Sequence, residues 1–335
     1  MKVLPLIFIT GASGFIGFEV AYQALQAGYR LRLSVRDRDS IPKLQRALSG
    51  HSDRMEFVVV PDITVSGCFD QFLHGATYVI HVASPLAFAG GDIYTPAVRG
   101  TKSILSAALQ VKTIKRVVLT SSALALIPGD HRREGLVVSA EKWETDRGIT
   151  EQTELDEAID PALIPSLDPR AQYRAGKLAA HRATLEFASD HDPHFNIVML
   201  YPTFVFGPSR LQESASELAG TNALLFSTLM SENPKGGQFL GVHIEDVAKA
   251  HIRALDYAAS GVSGFLLSAK RRSWSEVCKL VSEEFPTMKL KLQPRDWEHY
   301  SVDTSQAEKC LGLSFRPMED QVRDLLQQQL SFREF

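Results

Sequence analysis

A tyrosine and a lysine four residues apart have the types and spacing to transfer a proton. Tyr173 and Lys177 lie in the segment Tyr-Arg-Ala-Gly-Lys, and a separation of four residues places two side chains on one face of a helix. A phenol has a pKa of about 10, and a neighbouring ammonium group lowers that pKa because it stabilises the phenolate. The pair therefore indicates a general acid. Such a pair also arises by chance, so a third group is needed to support this interpretation.

Two serines at the end of an apolar run supply that third group. Ser121 and Ser122 follow Val117–Thr120, a run with the composition of a buried strand. Open α/β sheets bind ligands at the carboxyl ends of their strands, where a hydroxyl can donate to a carbonyl oxygen that gains negative charge. Ser122 is the preferred candidate, with a strand-end cap as the alternative. The predicted catalytic residues are Ser122, Tyr173 and Lys177.

A glycine-rich turn near the start of the chain predicts a cofactor. It directly follows the apolar run Leu6–Thr10 and opens an apolar helical segment. Three glycines with this spacing allow a tight turn, a close approach of backbone to a pyrophosphate, and helix-on-strand packing. The helix N-terminus supplies N–H groups and positive potential for that anion. A turn needed only for packing is the alternative. The predicted dinucleotide contacts are Gly11, Ser13, Gly14, Phe15, Ile16 and Gly17.

The end of the second strand-like run distinguishes NAD from NADP. Leu31–Val35 is followed by Arg36-Asp37-Arg38. A carboxylate at the strand end would bind the ribose of NAD, whereas an arginine would pair with the extra phosphate of NADP. Because Arg36 stands at the tip and Lys43 adds positive charge nearby, we predict NADP(H). A rotated strand end would present Asp37 instead. Tyr173 and Lys177 are also predicted to contact this cofactor, since Lys177 can hydrogen-bond the nicotinamide ribose.

Two further strand ends provide cofactor contacts. Asp62 and Ile63 follow the third run, where a carboxylate can hold the adenine amino group and the next backbone N–H can touch the ring. A helix or turn cap is the alternative for Asp62. The small residues after the fourth run let the backbone pass along the cofactor ribose; they are Ala83, Ser84 and Pro85.

Strand-like and helical segments alternate through the first half of the chain, which predicts an α/β fold with a Rossmann-type, doubly wound parallel sheet. The predicted strands are Leu6–Thr10, Leu31–Val35, Phe57–Val60, Tyr78–Val82, Val117–Thr120 and Ile197–Tyr201. The predicted helices between them are Phe15–Ala27, Ser66–Leu73, Tyr94–Leu109 and Ala171–Ser189.

The pattern loosens after Tyr201, where helices are predicted at Ile244–Tyr257, Ser273–Glu284 and Met318–Gln329. We therefore divide the chain into an NADP-binding core, residues 1–201, and a mainly substrate-binding lobe, residues 202–335, with segments that return to the core. Glu151–Pro169 is acidic and carries three prolines. It is either a surface loop or a lid over the substrate.

Composition excludes several other classes of protein. The 335 residues include 36 basic and 39 acidic side chains, with a formal charge of -3 and no long basic run, so nucleic acid is not an expected partner. The three cysteines are far apart, which argues against a metal site or a disulfide framework and for a reducing compartment. No apolar run approaches the roughly 20 residues that span a bilayer. We predict a cytoplasmic protein, monomeric or homodimeric, without membrane contact.

Together these motifs resemble the extended short-chain dehydrogenase/reductase superfamily, in its branch of dihydroflavonol reductases and fungal aldehyde, ketone and methylglyoxal reductases. The likeness covers most of the chain. The other matching stretches are Val35–Asp37, His81–Pro85, Pro96–Thr101, Arg116–Ser122, Pro202–Pro208 and His243–His251. The resemblance implies hydride transfer from NADPH to a ketone or aldehyde, with Tyr173 protonating the oxygen and Ser122 orienting it.

The resemblance also assigns residues outside these motifs. It implies that Pro202 and the backbone through Val205 lie against the nicotinamide carboxamide, and that Lys43 joins Arg36 near the phosphate. His243 and His251 are expected to pack or cap rather than to catalyse.

Three features depart from the family pattern. Ile127 stands about where flavonoid reductases carry an asparagine for the substrate's phenolic ring, so a flavonoid substrate is not expected. Gly176 precedes Lys177 where serine is common, and glycine weakens a helix. The span between Ser122 and Tyr173 is longer than usual.

The expected substrate is a bulky, apolar carbonyl compound of specialised metabolism. The predicted wall is apolar and offers phenylalanines that could equally belong to the core; it consists of Leu86–Gly91, Ala123–Ile127 and Phe204–Leu229, with Phe88, Phe204, Phe206 and Phe226. Two other functions stay open: an NAD-dependent epimerase, dehydratase or hydroxysteroid-type dehydrogenase, and a binding module that senses NADP without turning it over.

Overall fold

Apolar runs of the sequence form the strands of one seven-stranded parallel sheet. The computed structural model describes residues 4–85, 91–127, 136–140, 164, 166–232, 235–258, 260–296 and 300–333. The strands are β1 (Leu6–Thr10), β2 (Arg30–Val35), β3 (Met55–Val59), β4 (Tyr78–His81), β5 (Arg116–Thr120), β7 (Asn196–Pro202) and β11 (Val262–Leu267). Their order is β3-β2-β1-β4-β5-β7-β11. The predicted Rossmann-type fold is confirmed, and its strand order reverses between β1 and β4, where such sheets bind ligands.

Helices cover both faces of this sheet, which is why its strands are apolar throughout. The main helices are α1 (Phe15–Gln26), α2 (Ile41–Ala47), α3 (Tyr94–Leu109), α4 (Pro169–His191) and α6 (Ile244–Asp256). Side chains of β1 alternate between two buried clusters. Ile7 and Ile9 join the cluster that includes α1 and α6. Phe8 joins the opposite cluster, which includes α3 and Phe187 of α4.

The remaining elements form small sheets and a third hydrophobic cluster. The helices are α5 (Gly220–Leu229), α7 (Trp274–Glu284), α8 (Ser305–Leu311) and α9 (Met318–Ser331). The strands are β6 (Val137–Ser139), β8 (Phe204–Phe206), β9 (Lys235–Phe239), β10 (Gly241–His243), β12 (Arg272–Ser273), β13 (Pro294–Asp296) and β14 (Ser301–Asp303). The third cluster joins α5, α7 and α9 around Phe206, Phe239 and Trp274. Two segments of the second half lie in the core, since α6 packs on α1 and β11 completes the sheet.

One predicted helix is wrong. Ser66–Leu73 contains only a single 3-10 turn, Asp70–Phe72. Gly67 has a φ of +75°, a left-handed conformation that an α-helix does not accommodate. Phe69 and Leu73 are nevertheless fully buried, so the apolar spacing there reflects packing under the sheet rather than a helix. The other predicted helices end within two residues of the observed ones.

Most of the acidic excursion lies outside the described residues. Only residues 164 and 166–169 of Glu151–Pro169 are described, and Asp168 and Pro169 begin α4. Phe88 also lies outside them. Within the described residues, no helix is both long and apolar enough to cross a membrane.

We expect β11 to be an integral part of the cooperative core. Phe265 on this strand is fully buried and contacts the Tyr257 ring edge-on at 5.0 Å. Phe265→Ala should lower the free energy of unfolding by about 3–5 kcal/mol, because it leaves a cavity. The control Val65→Ala, at a side chain 53% exposed, should change it by less than about 0.5 kcal/mol. Urea denaturation measures both values, and equal effects of the two substitutions on the free energy of unfolding would argue against this role for β11.

Candidate active site

The glycine turn forms a cradle made of backbone. Gly11 has a φ of +73°, and a Cβ added there would lie 2.8 Å from the Ala83 nitrogen. A Cβ on Gly17 would lie 2.1 Å from the Gly11 carbonyl oxygen. Both positions therefore exclude a side chain, because α1, the turn and the end of β4 approach one another too closely. This is the packing that the glycine spacing predicted.

The N-terminus of α1 opens onto this cradle. No side chain among the described residues caps Gly14, and the first turn of α1 carries no acidic residue. The N–H groups and the positive end of the helix dipole are therefore available to an anion. Ser13 and Gly14 are exposed, and Phe15 and Ile16 are half-buried beside them. This arrangement fits the pyrophosphate of a dinucleotide.

A buried threonine links the cradle to the end of β4. Thr10 Oγ1 accepts hydrogen bonds from the backbone nitrogens of Val82 at 3.2 Å and Ala83 at 3.1 Å. Its own proton is donated to Nδ1 of His81, 2.8 Å away. Burial, with a smaller effect of Lys177, lowers the pKa of His81 to about 3, so the imidazole is neutral. Thr10 thereby fixes the segment that carries Ala83, Ser84 and Pro85.

One polar atom on this segment is unsatisfied. The Ser84 hydroxyl is buried and has no hydrogen-bond partner among the described residues. Buried hydroxyl groups normally have a partner. A ligand that runs along the end of β4 would supply one, so the segment fits the predicted ribose contact.

At the end of β2 the structure separates the roles of Arg36 and Asp37. Asp37 Oδ1 accepts a hydrogen bond from the Ser40 nitrogen at 3.0 Å, so this carboxylate caps the turn before α2. Arg36 is exposed and lies near Asp62. The pKa of Asp62 is lowered, first by hydrogen bonds from Thr64 and then by the charges of Arg36 and Arg99.

Asp62 and Ile63 lie between this edge and α3. The Asp62 carboxylate accepts from the Thr64 nitrogen at 2.8 Å, which is the turn-cap role that the sequence left open. The exposed carboxylate is also accessible to a ligand. The Ile63 side chain packs on α3 at Gly100, where an added Cβ would lie 2.8 Å from its Cδ1.

Lys43 has a partner that its sequence position did not suggest. Its Nζ lies 2.8 Å from an oxygen of Glu217 and 3.9 Å from one of Glu213, both from the second half of the chain. The structure therefore brings Arg36 and Asp62 together, while Lys43 is engaged by two carboxylates.

The three predicted catalytic residues converge beyond the end of β5. The hydroxyl groups of Ser122 and Tyr173 are hydrogen-bonded, and Ser122 Oγ also accepts from the Leu124 nitrogen at 3.2 Å. Lys177 Nζ lies 5.6 Å from the centre of the Tyr173 ring and donates to the Thr120 carbonyl at 3.3 Å. The acid, the orienting hydroxyl and the cation thus form one cluster.

Helix α4 carries Tyr173 and Lys177. A capped first turn starts this helix, and one glycine lets it pack closely on α3. Asp168 caps the helix by accepting from the nitrogens of Arg170 at 2.9 Å and Ala171 at 3.0 Å, and Pro169 occupies the first turn. The helix is continuous through Gly176. A Cβ there would lie 3.3 Å from that of Ala97 on α3, so glycine allows the close approach of the two helices.

Burial controls the ionisation of the cluster. It raises the pKa of the Tyr173 phenol, and the hydrogen bond from Ser122 only partly opposes this effect. The expectation that Lys177 lowers the pKa of the Tyr173 phenol is therefore wrong for this structure. The cost of desolvating the phenolate outweighs the effect of its favourable neighbours. Tyr173 consequently keeps its proton at neutral pH, as an acid for carbonyl reduction requires.

A small cavity lined by polar and apolar side chains lies beside Lys177. Its volume is about 20 Å³, enough for one water molecule. The polar side chains that line it are His81, Ser84, Thr101, Thr120, Ser121, Lys177, His181 and Thr184. Burial lowers the pKa of His181 to about 4, so both imidazoles beside the ammonium are neutral.

A contact that sequence reasoning missed, the hydrogen bond between Thr120 and His251, fixes the end of β5. His251 Nδ1 donates to the Val247 carbonyl at 2.8 Å, so its Nε2 accepts from the Thr120 hydroxyl at 2.7 Å. His243 caps α6 by accepting from the Glu245 nitrogen at 3.2 Å. These are the capping and packing roles expected for both histidines. Thr120 and His251 are 131 residues apart, so no local pattern could have paired them.

The strand after β7 carries the other predicted contacts. Pro202 ends β7, and Val205 is buried in β8 beside it. Phe204 is 44% exposed and its ring stacks on Phe206, whereas Phe206 belongs to the third cluster. Among the candidate phenylalanines that the structure describes, Phe204 alone is exposed. Phe226 is half-buried and packs at the margin of that cluster. Ala123, Ala125 and Ile127 are also buried in a core cluster.

Comparison with known proteins assigns the family. Residues 7–266 match the NAD dependent epimerase/dehydratase family. The chain is 40% identical to the ketoreductase sphI of Aspergillus fumigatus, covering 98% of each chain. It is 30% identical to the ketoreductase CTB6 of Cercospora beticola, covering 98% of this chain and 96% of that protein.

Among solved structures, the chain is similar to the yeast methylglyoxal/isovaleraldehyde reductase Gre2 complexed with NADPH. The TM-score is 0.83 with 25% identity, over 98% of each chain. The chain belongs to the NAD dependent epimerase/dehydratase family, and the resemblance to its reductase branch is confirmed.

The buried charge of Lys177 predicts a stability effect that depends on pH. Burial lowers its pKa from 10.5 to about 8. Between these values the unfolded chain binds more protons, so this residue makes the free energy of unfolding rise with pH. Below pH 8 the charge destabilises the fold by roughly 3 kcal/mol. Lys177→Met should therefore be more stable than the unsubstituted protein at pH 7, with a smaller difference at pH 10.

Urea denaturation without cofactor at both pH values measures this difference. Lys279→Met is the matched control, because the Lys279 side chain is 74% exposed. A stability difference between Lys177→Met and the unsubstituted protein that is the same at pH 7 and pH 10 would contradict the prediction.

Proposed function

We propose that this chain is an NADPH-dependent carbonyl reductase that converts a ketone or aldehyde to an alcohol. The observation that carries the proposal is the cluster of Ser122, Tyr173 and Lys177 at the carboxyl end of β5. It lies at the same edge of the sheet as the glycine cradle. All strands of the sheet are parallel, so their carboxyl ends share this edge.

The proposed mechanism divides the work between cofactor and protein. NADPH, when bound, supplies the hydride. Tyr173 donates its proton to the substrate oxygen, and the Ser122 hydroxyl orients that oxygen and stabilises its developing charge. The Lys177 ammonium adds positive charge beside the phenol and is held in place by the Thr120 carbonyl. The proton given up by Tyr173 leaves a phenolate, which this ammonium favours.

The proposed cofactor site runs from the end of β2 to the strand after β7. Arg36 would pair with the phosphate that distinguishes NADPH, and Lys43 would join it. The capping role of Asp37 supports Arg36 as the deciding residue. Asp62 and Ile63 would hold the adenine, the cradle the pyrophosphate, and Ala83, Ser84 and Pro85 the ribose. Pro202 and Val205 would contact the nicotinamide. The NADPH bound to yeast Gre2 supports this choice of cofactor.

The proposed substrate is a bulky, apolar carbonyl compound of specialised metabolism. The exposed ring of Phe204 supports an apolar wall beside the catalytic cluster, and the names of two relatives as ketoreductases support a ketone. We assign nucleotide binding to residues 1–201 and substrate binding mainly to residues 202–335. Three free thiols support a reducing, cytoplasmic location, and a monomer or homodimer stays the prediction for assembly.

Oxidation of NADPH and NADH with a panel of aldehydes, diketones and aromatic ketones tests the proposal. We expect turnover with NADPH. Tyr173→Phe should lower kcat by about 10²- to 10⁴-fold, because it removes the acid, while the Kd for NADPH stays unchanged. Tyr78→Phe is the matched control on a half-buried tyrosine of β4 and should keep full activity. Undiminished turnover by Tyr173→Phe, or a preference for NADH, would overturn the proposal.

A further inference from the structure

The ion pair between Lys43 and Glu217 joins the two halves of the chain at the cofactor edge. Lys43 lies on α2, directly after the strand that ends at Arg36. Its Nζ donates to Glu217 Oε2 at 2.8 Å. The hydrogen bond from Lys43 is the first cause that lowers the pKa of Glu217, so the carboxylate is charged at neutral pH. A residue expected to meet a phosphate is therefore already paired with an anion.

A second carboxylate lies beside the first. Glu213 Oε2 is 3.9 Å from Lys43 Nζ, and its other oxygen is 3.6 Å from Arg46 Nη2. The backbone nitrogen of Glu213 also donates to Glu217 Oε2 at 2.9 Å. Two negative charges thus face the basic side of α2.

Both carboxylates belong to a segment, residues 209–217, that we call the strap. Hydrogen bonds hold the strap to α9. Two of them join Ser209 to Gln328, and two join Gln212 to Gln329. On the core side, Arg210 Nε donates to the buried Glu19 of α1 at 2.8 Å. The strap is therefore anchored independently of Lys43, and its carboxylates stay near α2 when that one ion pair breaks.

We infer that Glu217, with Glu213, sets the affinity for NADPH by competing with its 2′-phosphate for Lys43. This inference rests on the proposed function, in which Arg36 and Lys43 bind that phosphate. Glu217 acts through Lys43 and is a positioning residue. NADH lacks the 2′-phosphate, so the competition affects only NADPH.

Two physical arguments set the direction and size of the effect. A 2′-phosphate near Lys43 would face two carboxylates of its own sign, so their removal strengthens binding. The Lys43 and Glu217 side chains are 32% and 39% exposed, and ion pairs at such positions are weak. The strap therefore tunes the affinity for NADPH and does not block the site.

Glu217→Gln tests the inference by equilibrium binding, without turnover. Isothermal titration with NADPH and with NADH should show a Kd for NADPH lowered by about two- to fivefold, and an unchanged Kd for NADH. A role of Glu217 in folding alone would move both constants together. Glu283→Gln is the matched control: it removes a carboxylate of α7 that is 62% exposed and pairs with Lys279. It should leave both constants unchanged.

Lys43→Gln separates this inference from the proposed function. Lys43→Gln should weaken NADPH binding, and Glu217→Gln added to it should no longer improve that binding. If Lys43→Gln weakens NADPH binding but Glu217→Gln leaves it unchanged or weakens it, the inference fails and the cofactor assignment stands. If Lys43→Gln does not change the Kd for NADPH, the assignment of Lys43 to the phosphate is wrong, and the inference about Glu217 is wrong as well.

Discussion

The ammonium group of Lys177 is buried where α3, α4 and β5 meet, and its surroundings are arranged to keep a charge there. An unpaired charge in the interior is costly. Here the Thr120 carbonyl accepts a hydrogen bond from the ammonium, and the two imidazoles beside it, His81 and His181, are neutral. Gly176 brings α4 close enough to α3 to place the lysine inside. This glycine, which departs from the family pattern, thus relieves crowding between the two helices at the site.

The end of β5 connects this charge to the rest of the sheet. Ser121 donates its backbone N–H to Leu200 of β7, so the Thr120 carbonyl points to the opposite side of the strand. The neighbour on that side, β4, ends its pairing at Leu119. The carbonyl is therefore left for Lys177, while the Thr120 side chain is held by His251 of α6. A helix of the second half thereby helps to shape the candidate active site.

The two halves of the chain are joined by contacts of different strength. The packing of α6 and β11 into the core is apolar and buried. The strap, in contrast, meets α1 and α2 mainly through charged side chains that are partly exposed. Buried apolar contacts break only with the fold, whereas exposed ion pairs exchange partners readily. The apolar contacts therefore hold the two halves together, and the exposed ion pairs of the strap add little to that stability.

Local patterns in the sequence predicted six of the seven strands of the sheet, most helices and the residues that converge at its edge, whereas the edge strand β11 was missed. Continuous apolar runs, the glycine spacing and the Tyr173–Lys177 pair all act over a few residues, and parallel strands bring their carboxyl ends together whatever the details of packing. The Ser66–Leu73 helix failed because Gly67 adopts a backbone conformation that apolar spacing does not reveal.

Tertiary structure decided which groups surround these residues. The hydrogen bond from Thr120 to His251 and the ion pair from Lys43 to Glu217 join positions 131 and 174 residues apart. The raised pKa of Tyr173 depends on how completely the phenol is buried. Sequence spacing defines which residues share a strand or a helix face, but burial and long-range partners exist only once the chain has folded.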